Sequence, residues 1–356
     1  GVDALREFQV LTNSFGAEYG RAAGGIINAV SRSGSNTWHG SVFEFLRNSA
    51  LDSKNYFDKP DTPIPAFIRN QFGATFGGPI KKDKTFFFAA YEGFRERLGS
   101  SNVSKVPDAR AHQGYIPNPT TGREDFIGLA PSIKPFLDLW PIPTPGALNY
   151  GNGLGDYFNS SKVVTLQNYY MGRIDHQFSD ADFFFGRYTF DDSSKNTPDT
   201  LLGDRGVYSY GSARNQYMTL ELKHIFSPNL VNTVRAGFSR VYTPNDTFIP
   251  KTLIDSLPKF HPDHVKFGSL ELPGASILGT DTGATIGAGN VYQYQEQAVY
   301  TRGKHSLKVG GEIQRYLSNT KYEFHRFGKF RFPTVTRLLQ GNPDNFAGET
   351  PDSDFV

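Results

Sequence analysis

His261 and His264, three residues apart in His261-Pro262-Asp263-His264, come nearest in this 356-residue chain to the type and spacing of a metal site. Zinc held on a helix needs its ligands on one face. Pro262 and the loop-like surroundings oppose such a helix, so a solvated turn is expected here. Asp191-Asp192 and Asp281-Thr282-Gly283 offer oxygens to calcium, yet neither follows the spacing of an EF-hand loop. No Gly-x-Ser-x-Gly, Gly-x-x-x-x-Gly-Lys-Ser/Thr or His-Glu-x-x-His pattern occurs. Gly77-Gly78 and Gly310-Gly311 fall inside strand-like runs, away from any strand-to-helix turn that cradles phosphate. The chain has no cysteine, which removes thiolate nucleophiles, thiolate metal sites and disulfides together. The expectation is a protein that is not an enzyme and takes no cofactor.

Composition narrows the class further. The formal net charge is +2, which gives no electrostatic case for nucleic acid. Aromatic residues make up 14% of the chain, with 31 Phe and 18 Tyr, while hydrophobic residues total only 38%. No run approaches the ~18 apolar residues of a membrane helix. A membrane β-barrel stays open, because alternating strands never produce a hydropathy peak. The sequence begins Gly1-Val2-Asp3 and stops at Asp354-Phe355-Val356, and a piece of a larger protein is expected.

The elements that must position these residues read as long strands. They are expected at 37–47, 70–80, 85–95, 167–178, 182–191, 215–226, 230–242, 291–302 and 306–316. Short turns at 81–84, 179–181, 227–229 and 303–305 alternate with long loops at 48–69, 96–166, 192–214 and 243–290. Loops longer than ~12–15 residues are uncommon in compact soluble domains. Short turns at one rim and long loops at the other are the habit of an outer-membrane barrel. In the hairpin 70–95, Phe72, Ala74, Phe76, Gly78 and Ile80 share one face, and Gln71, Gly73, Thr75 and Gly77 share the other. Phe86-Phe87-Phe88 then makes both faces of the return strand apolar.

Charges keep strict parity along the later strands. Arg173, Arg187, Glu221, Lys223, Arg235 and Glu312 each oppose an apolar set such as Met218, Leu220 and Leu222. A Lys or Arg facing mid-bilayer lipid costs roughly 2–4 kcal/mol, so in a barrel these six line the lumen. They serve there either as contacts for a substrate or, the favoured reading, as a hydrated ladder that relieves mutual charge. A soluble β-sandwich alternates identically, and parity alone does not separate the two. Strand length, loop alternation and aromatics near strand ends, among them Trp38, Tyr170, Tyr242 and Tyr292, favour the barrel. Strand 37–47 is ambiguous, since Val42 and Phe43 take opposite faces.

Residues 13–36, NSFGAEYGRAAGGIINAVSRSGSN, resemble the last part of the plug in TonB-dependent outer-membrane receptors, and Oar-like receptors in particular. His39 to Asn48 looks like that family's first barrel strand. The hairpin matches it through Asn70-Gln71-Phe72-Gly73, Gly77-Gly78-Pro79-Ile80, Asp83-Lys84-Thr85-Phe86-Phe87-Phe88 and Tyr91-Glu92-Gly93. The motif similarity covers about the first hundred residues.

The resemblance implies an all-β fold: the end of a plug domain at 1–36, then the first part of a transmembrane antiparallel up-and-down β-barrel at 37–356. About nine strands of a 22-stranded barrel are expected, in the outer membrane of a diderm bacterium. The family's export signal and its TonB-contacting segment, which would meet the energy-coupling partner, are expected outside this chain. Glu18, Tyr19, Gly20, Arg21, Gly24 and Gly25 form the plug motif, either as part of a stopper that shifts or as a tight glycine-permitted turn. Loops 96–166 and 243–290 would be extracellular and capture an unnamed substrate, with Tyr115, Phe136, Trp140 and Tyr150 as adaptable aromatic surface. A non-transporting adhesin or a secreted glycan-binding sandwich is the alternative.

Overall fold

The computed structural model describes residues 2–12, 16, 19, 24–53, 64 and 66–349. Its centre is a nine-stranded antiparallel sheet made by β3 (His39–Asn48), β4 (Phe67–Lys81), β5 (Thr85–Pro107), β8 (Leu154–Gln177), β9 (Asp182–Pro198), β10 (Tyr208–Ser227), β11 (Leu230–Phe248), β14 (Thr285–Arg302) and β15 (His305–Tyr322). Their order in space is their order in sequence. This is the up-and-down meander of a barrel wall, left unclosed with β3 and β15 at its edges. The expected strands are all present, and so are the four tight turns between β4 and β5, β8 and β9, β10 and β11, and β14 and β15.

The strands run much further than expected. β5 holds 23 residues and β8 holds 24, whereas crossing a bilayer takes ~9–11. Their far halves, such as Gly99-Ser100-Ser101-Asn102, carry small polar side chains on both faces and so show no apolar alternation. Pairing continues there nonetheless, from Gly99 opposite Lys162 to Pro107 opposite Leu154. The loop expected at 192–214 shrinks accordingly to 199–207.

A short hairpin, β1 (Leu5–Leu11) with β2 (Ile26–Ser31), precedes the wall and packs on one of its faces, the inner one. The remaining elements crown the loop end. They are β6 (Tyr115–Pro117), β7 (Glu124–Phe126), α1 (Lys134–Leu137), α2 (Lys251–Asp255), β12 (Gly268–Glu271), β13 (Leu278–Thr280), β16 (Lys329–Arg331), α3 (Val335–Leu339) and β17 (Asn345–Ala347). The larger apolar core of the described residues lies in this crown, not between sheets. Val106, Leu137, Trp140, Leu202, Ile254, Leu278 and Leu338 meet there from four separate stretches of chain. A four-stranded sheet, ordered β13-β12-β16-β17, ties the 249–284 connection to the residues after β15.

The outer face of the wall stays apolar and uncovered. Val42, Phe76, Ile174, Leu222, Val234 and Ile313 are all exposed on it. No second sheet packs over them among the described residues, which removes the sandwich alternative.

Candidate functional site

Directly opposed residues of an antiparallel pair project to the same face, so strand register decides which side chains meet. Arg173 lies opposite Arg187, and Arg187 opposite Thr219. Glu221 lies opposite Arg235, Arg235 opposite Gln295, and Gln295 opposite Glu312. Lys223 follows Glu221 at the same parity, opposite Phe183. All six charged residues singled out by parity therefore share the inner face.

The β1–β2 hairpin sits over part of this face. Arg173 grips Asp175 through two guanidinium nitrogens, at 2.6 and 2.9 Å, and donates from Nη1 to the Ser31 hydroxyl at 2.9 Å. Ser31 is buried at that contact. Arg235 donates to Glu221 and, at 2.9 Å, to Gln295. A cavity of about 560 Å³ remains between hairpin and wall, lined by Glu7, Gln9, Arg173, Arg187, Glu221 and Arg235. The buried Nε of Arg187 has no protein partner there, and a polar space of this size readily holds bridging water. Lys223 instead lies over the Phe183 ring at 4.8 Å, and Glu312 sits on the edge strand accepting from Gln314. Neither reaches the hairpin.

A second seat is apolar. Phe88 of the triple-Phe run is 1% exposed, under Ala4, Ala90 and Met171 on the inner face. Phe87 points the other way, meeting the Trp38 ring edge-on with ring centres 5.7 Å apart. Gly77-Gly78 makes room for both layers. A Cβ at Gly77 would lie 2.9 Å from the Phe88 ring, and one at Gly78 would lie 2.3 Å from Trp38. The glycine pair answers a packing demand.

Of the plug motif, Glu18, Gly20 and Arg21 lie outside the described residues. The Tyr19 hydroxyl accepts from Asn28 Nδ2 at 3.0 Å, and Gly25 comes so close to the Leu11 carbonyl that a Cβ would stand 3.0 Å away. Gly24 has open space around it. Sequence reasoning missed Asn36. Its side chain accepts from the Asp83 N–H at 2.8 Å and donates to the Asp83 carboxylate at 2.5 Å, pinning the hairpin's exit to the β4–β5 turn. It also missed Glu296, whose parity places it on the lipid face, where it accepts from Asn232 at 3.2 Å.

The crown corrects the picture of an adaptable aromatic surface. Trp140 is 2% exposed, with Nε1 donating to the Ser276 carbonyl at 3.2 Å. Phe136 packs on the same core and faces an apolar cavity of about 260 Å³ with Phe260, Phe267 and Phe330. Tyr115 packs at a tilt against Phe126 and lies under Arg110, whose guanidinium carbon is 4.0 Å from the Tyr115 ring centre. Tyr150, with Lys105 above its ring, is the accessible one at 38%. His261-Pro262-Asp263-His264 forms the expected turn, through His264 N–H to the His261 carbonyl at 3.0 Å, with Pro262 and Asp263 exposed to solvent and His264 turned inward. His264 is buried, its Nδ1 has no partner, and burial first, then the nearby His261 and Arg326 charges, hold its pKa below the ordinary imidazole value. No cluster of three His, Cys, Asp or Glu with metal-site geometry occurs among the described residues.

Comparison with known proteins agrees with this architecture. Residues 30–354 match the family described as outer membrane beta barrel domain. A stretch of 95 residues, 25% of the chain, is 40% identical to the TonB-dependent transporter Oar of Myxococcus xanthus, and it spans 9% of that protein. The outer-membrane transporter YddB of Escherichia coli superposes on 97% of the chain with a TM-score of 0.56 at 10% identity. The chain covers 38% of YddB, so it spans well under half of that structure. A nine-stranded meander with an apolar outer face, matched by the family along nearly its whole length, places the chain in the outer membrane beta-barrel family.

Proposed function

We propose that this chain is the plug end and first barrel strands of a TonB-dependent receptor, which captures a substrate at its crown and admits it through the lumen as the plug shifts. Residues 1–36 are assigned to the plug and 37–356 to the wall and crown. The carrying observation is the hairpin held against the charged inner face by Arg173 and Ser31. A pure adhesin has no use for a seated, partly polar stopper. Energy would come from a TonB-type periplasmic partner, because the outer membrane carries no nucleotide supply of its own.

The test uses the full-length parent. Heat-modifiable migration in the outer-membrane fraction, together with loss of uptake of one member of a substrate panel in a deletion strain, is the expected result. Uptake unchanged across siderophores, oligosaccharides and peptides, with surface attachment lost instead, would transfer the assignment to adhesion.

A further inference from the structure

Four arginines leave the outer face of the wall toward its loop end, three of them at one height and Arg214 somewhat above, opposite Tyr242, two residues beyond Arg240. Arg95 stands ten residues beyond Thr85 at the start of β5, Arg240 ten beyond Leu230 at the start of β11, and Arg315 ten beyond His305 at the start of β15. Arg214 stands thirteen residues before Ser227, the last of β10. With about 3.3 Å per residue and a strand tilt of ~40°, ten residues rise about 25 Å from the turn rim. That is the height of a barrel's apolar band. Register puts all four on the lipid side: Arg214 lies opposite Asp192, Arg240 opposite Gln216, and Arg315 opposite Tyr292, whose other neighbour is Phe238.

An aromatic belt runs just beneath them. Ring centres step from Phe72 to Tyr91 at 6.1 Å, to Tyr170 at 5.0 Å and to Phe190 at 6.2 Å. Arg95 lies over Phe72 and Arg214 over Phe190, both at 5.6 Å. Aromatic belts mark the membrane–water interface, so the guanidiniums stand where outer-leaflet headgroups begin. Arg95 is half-buried and spends Nη1 on the Phe94 and Gln167 carbonyls, at 2.8 and 2.6 Å, and Nη2 on Asn168 at 2.6 Å. Arg214 commits only Nε, to Asp192 at 2.8 Å, and Arg240 one nitrogen, to Asn290 at 3.2 Å. A guanidinium has five donors in a planar fork that suits phosphate oxygens, so donors remain.

We infer that Arg95, Arg214, Arg240 and Arg315 form a collar that binds phosphate-bearing lipid headgroups of the outer leaflet. Charge complementarity at a fixed depth selects this partner. A soluble anion would find no reason for the belt below, and a neutral lipid none for the guanidiniums above.

The full-length protein is purified in detergent beside a variant with all four arginines changed to Gln and an Arg123→Gln control on the crown. Heat-modifiable migration verifies the barrel in each. Binding to lipid A, a phosphorylated glycolipid, is compared with binding to the same lipid after its phosphates are removed. The unaltered protein and the control should favour the phosphorylated form at least about tenfold, and the fourfold variant should lose that preference. Equal preference in the variant, or none in the unaltered protein, overturns the collar. Should the fourfold variant fail to form a barrel, Arg240→Gln with Arg315→Gln at two exposed sites takes its place. The expected loss is then about threefold or more, and no loss overturns the collar equally.

Discussion

At Asn36 one carboxamide closes two hydrogen bonds with Asp83, a residue whose φ of 61° lies in the left-handed region. Non-glycine residues hold that conformation under strain unless their surroundings fix it. Asn36→Ala removes both bonds and should lower stability by about 1–2 kcal/mol. Adding Asp83→Gly should recover some of the loss, because glycine adopts positive φ freely. Hydrogen exchange at the β4–β5 turn in detergent micelles checks both outcomes. The sequence showed Asn36 as the last residue of a family-like motif, but nothing in it announced a partner 47 positions away. Parity, by contrast, needs only the two-residue period of a strand, and the strand register sets Arg173, Arg187, Glu221 and Arg235 toward one face.

Along β5 the three phenylalanines divide their work by the same period. Phe88 fills the inner seat with Ala4 and Met171, so Phe88→Ala should leave a cavity and destabilise by about 3–5 kcal/mol. Phe87→Ala, on the outer face, should cost clearly less, because lipid chains refill the space. Thermal unfolding of both variants in micelles separates them. The membrane-crossing stretch of each strand was legible because lipid on one side and a wet lumen on the other impose alternation. The upper stretches of β5, β8 and β9 were not. Water touches both of their faces, no alternation is demanded, and Ser-Ser-Asn or Asp-Asp-Ser-Ser looks like loop. Only the unbroken ladder from Gly99 to Pro107 reveals strand there.

Taken as a whole, the molecule keeps its main apolar core outside the membrane, which no local pattern foretold. Leu137, Leu202, Ile254 and Leu338 come from stretches far apart in sequence, and each stretch alone reads as a loop with a few hydrophobic residues in it. That core carries a pH dependence. His264 is buried with a lowered pKa, so folding favours its neutral form. His112, half-buried in the same crown and lowered chiefly by desolvation, acts in the same sense. Crown stability should therefore be full above the unfolded imidazole value of about 6.5 and be lost as pH falls below it toward the folded-state values. Emission from Trp140 in a Trp38→Phe background reports crown unfolding, and the midpoint at pH 5.5 should fall below that at pH 7.5. His264→Phe should shrink the difference; an unchanged difference would remove His264 from the account. The hairpin at the other end has a mechanical consequence. Its strands enter and leave at the same end, Leu5 beside Ser31, and the leaving strand is fastened five residues later at Asn36. A pull on the entering strand therefore loads the ladder as a zipper and not in shear, so its pairs open in succession at low force. The wall is fastened beyond Asn36, so such a pull would open the hairpin and leave the wall in place.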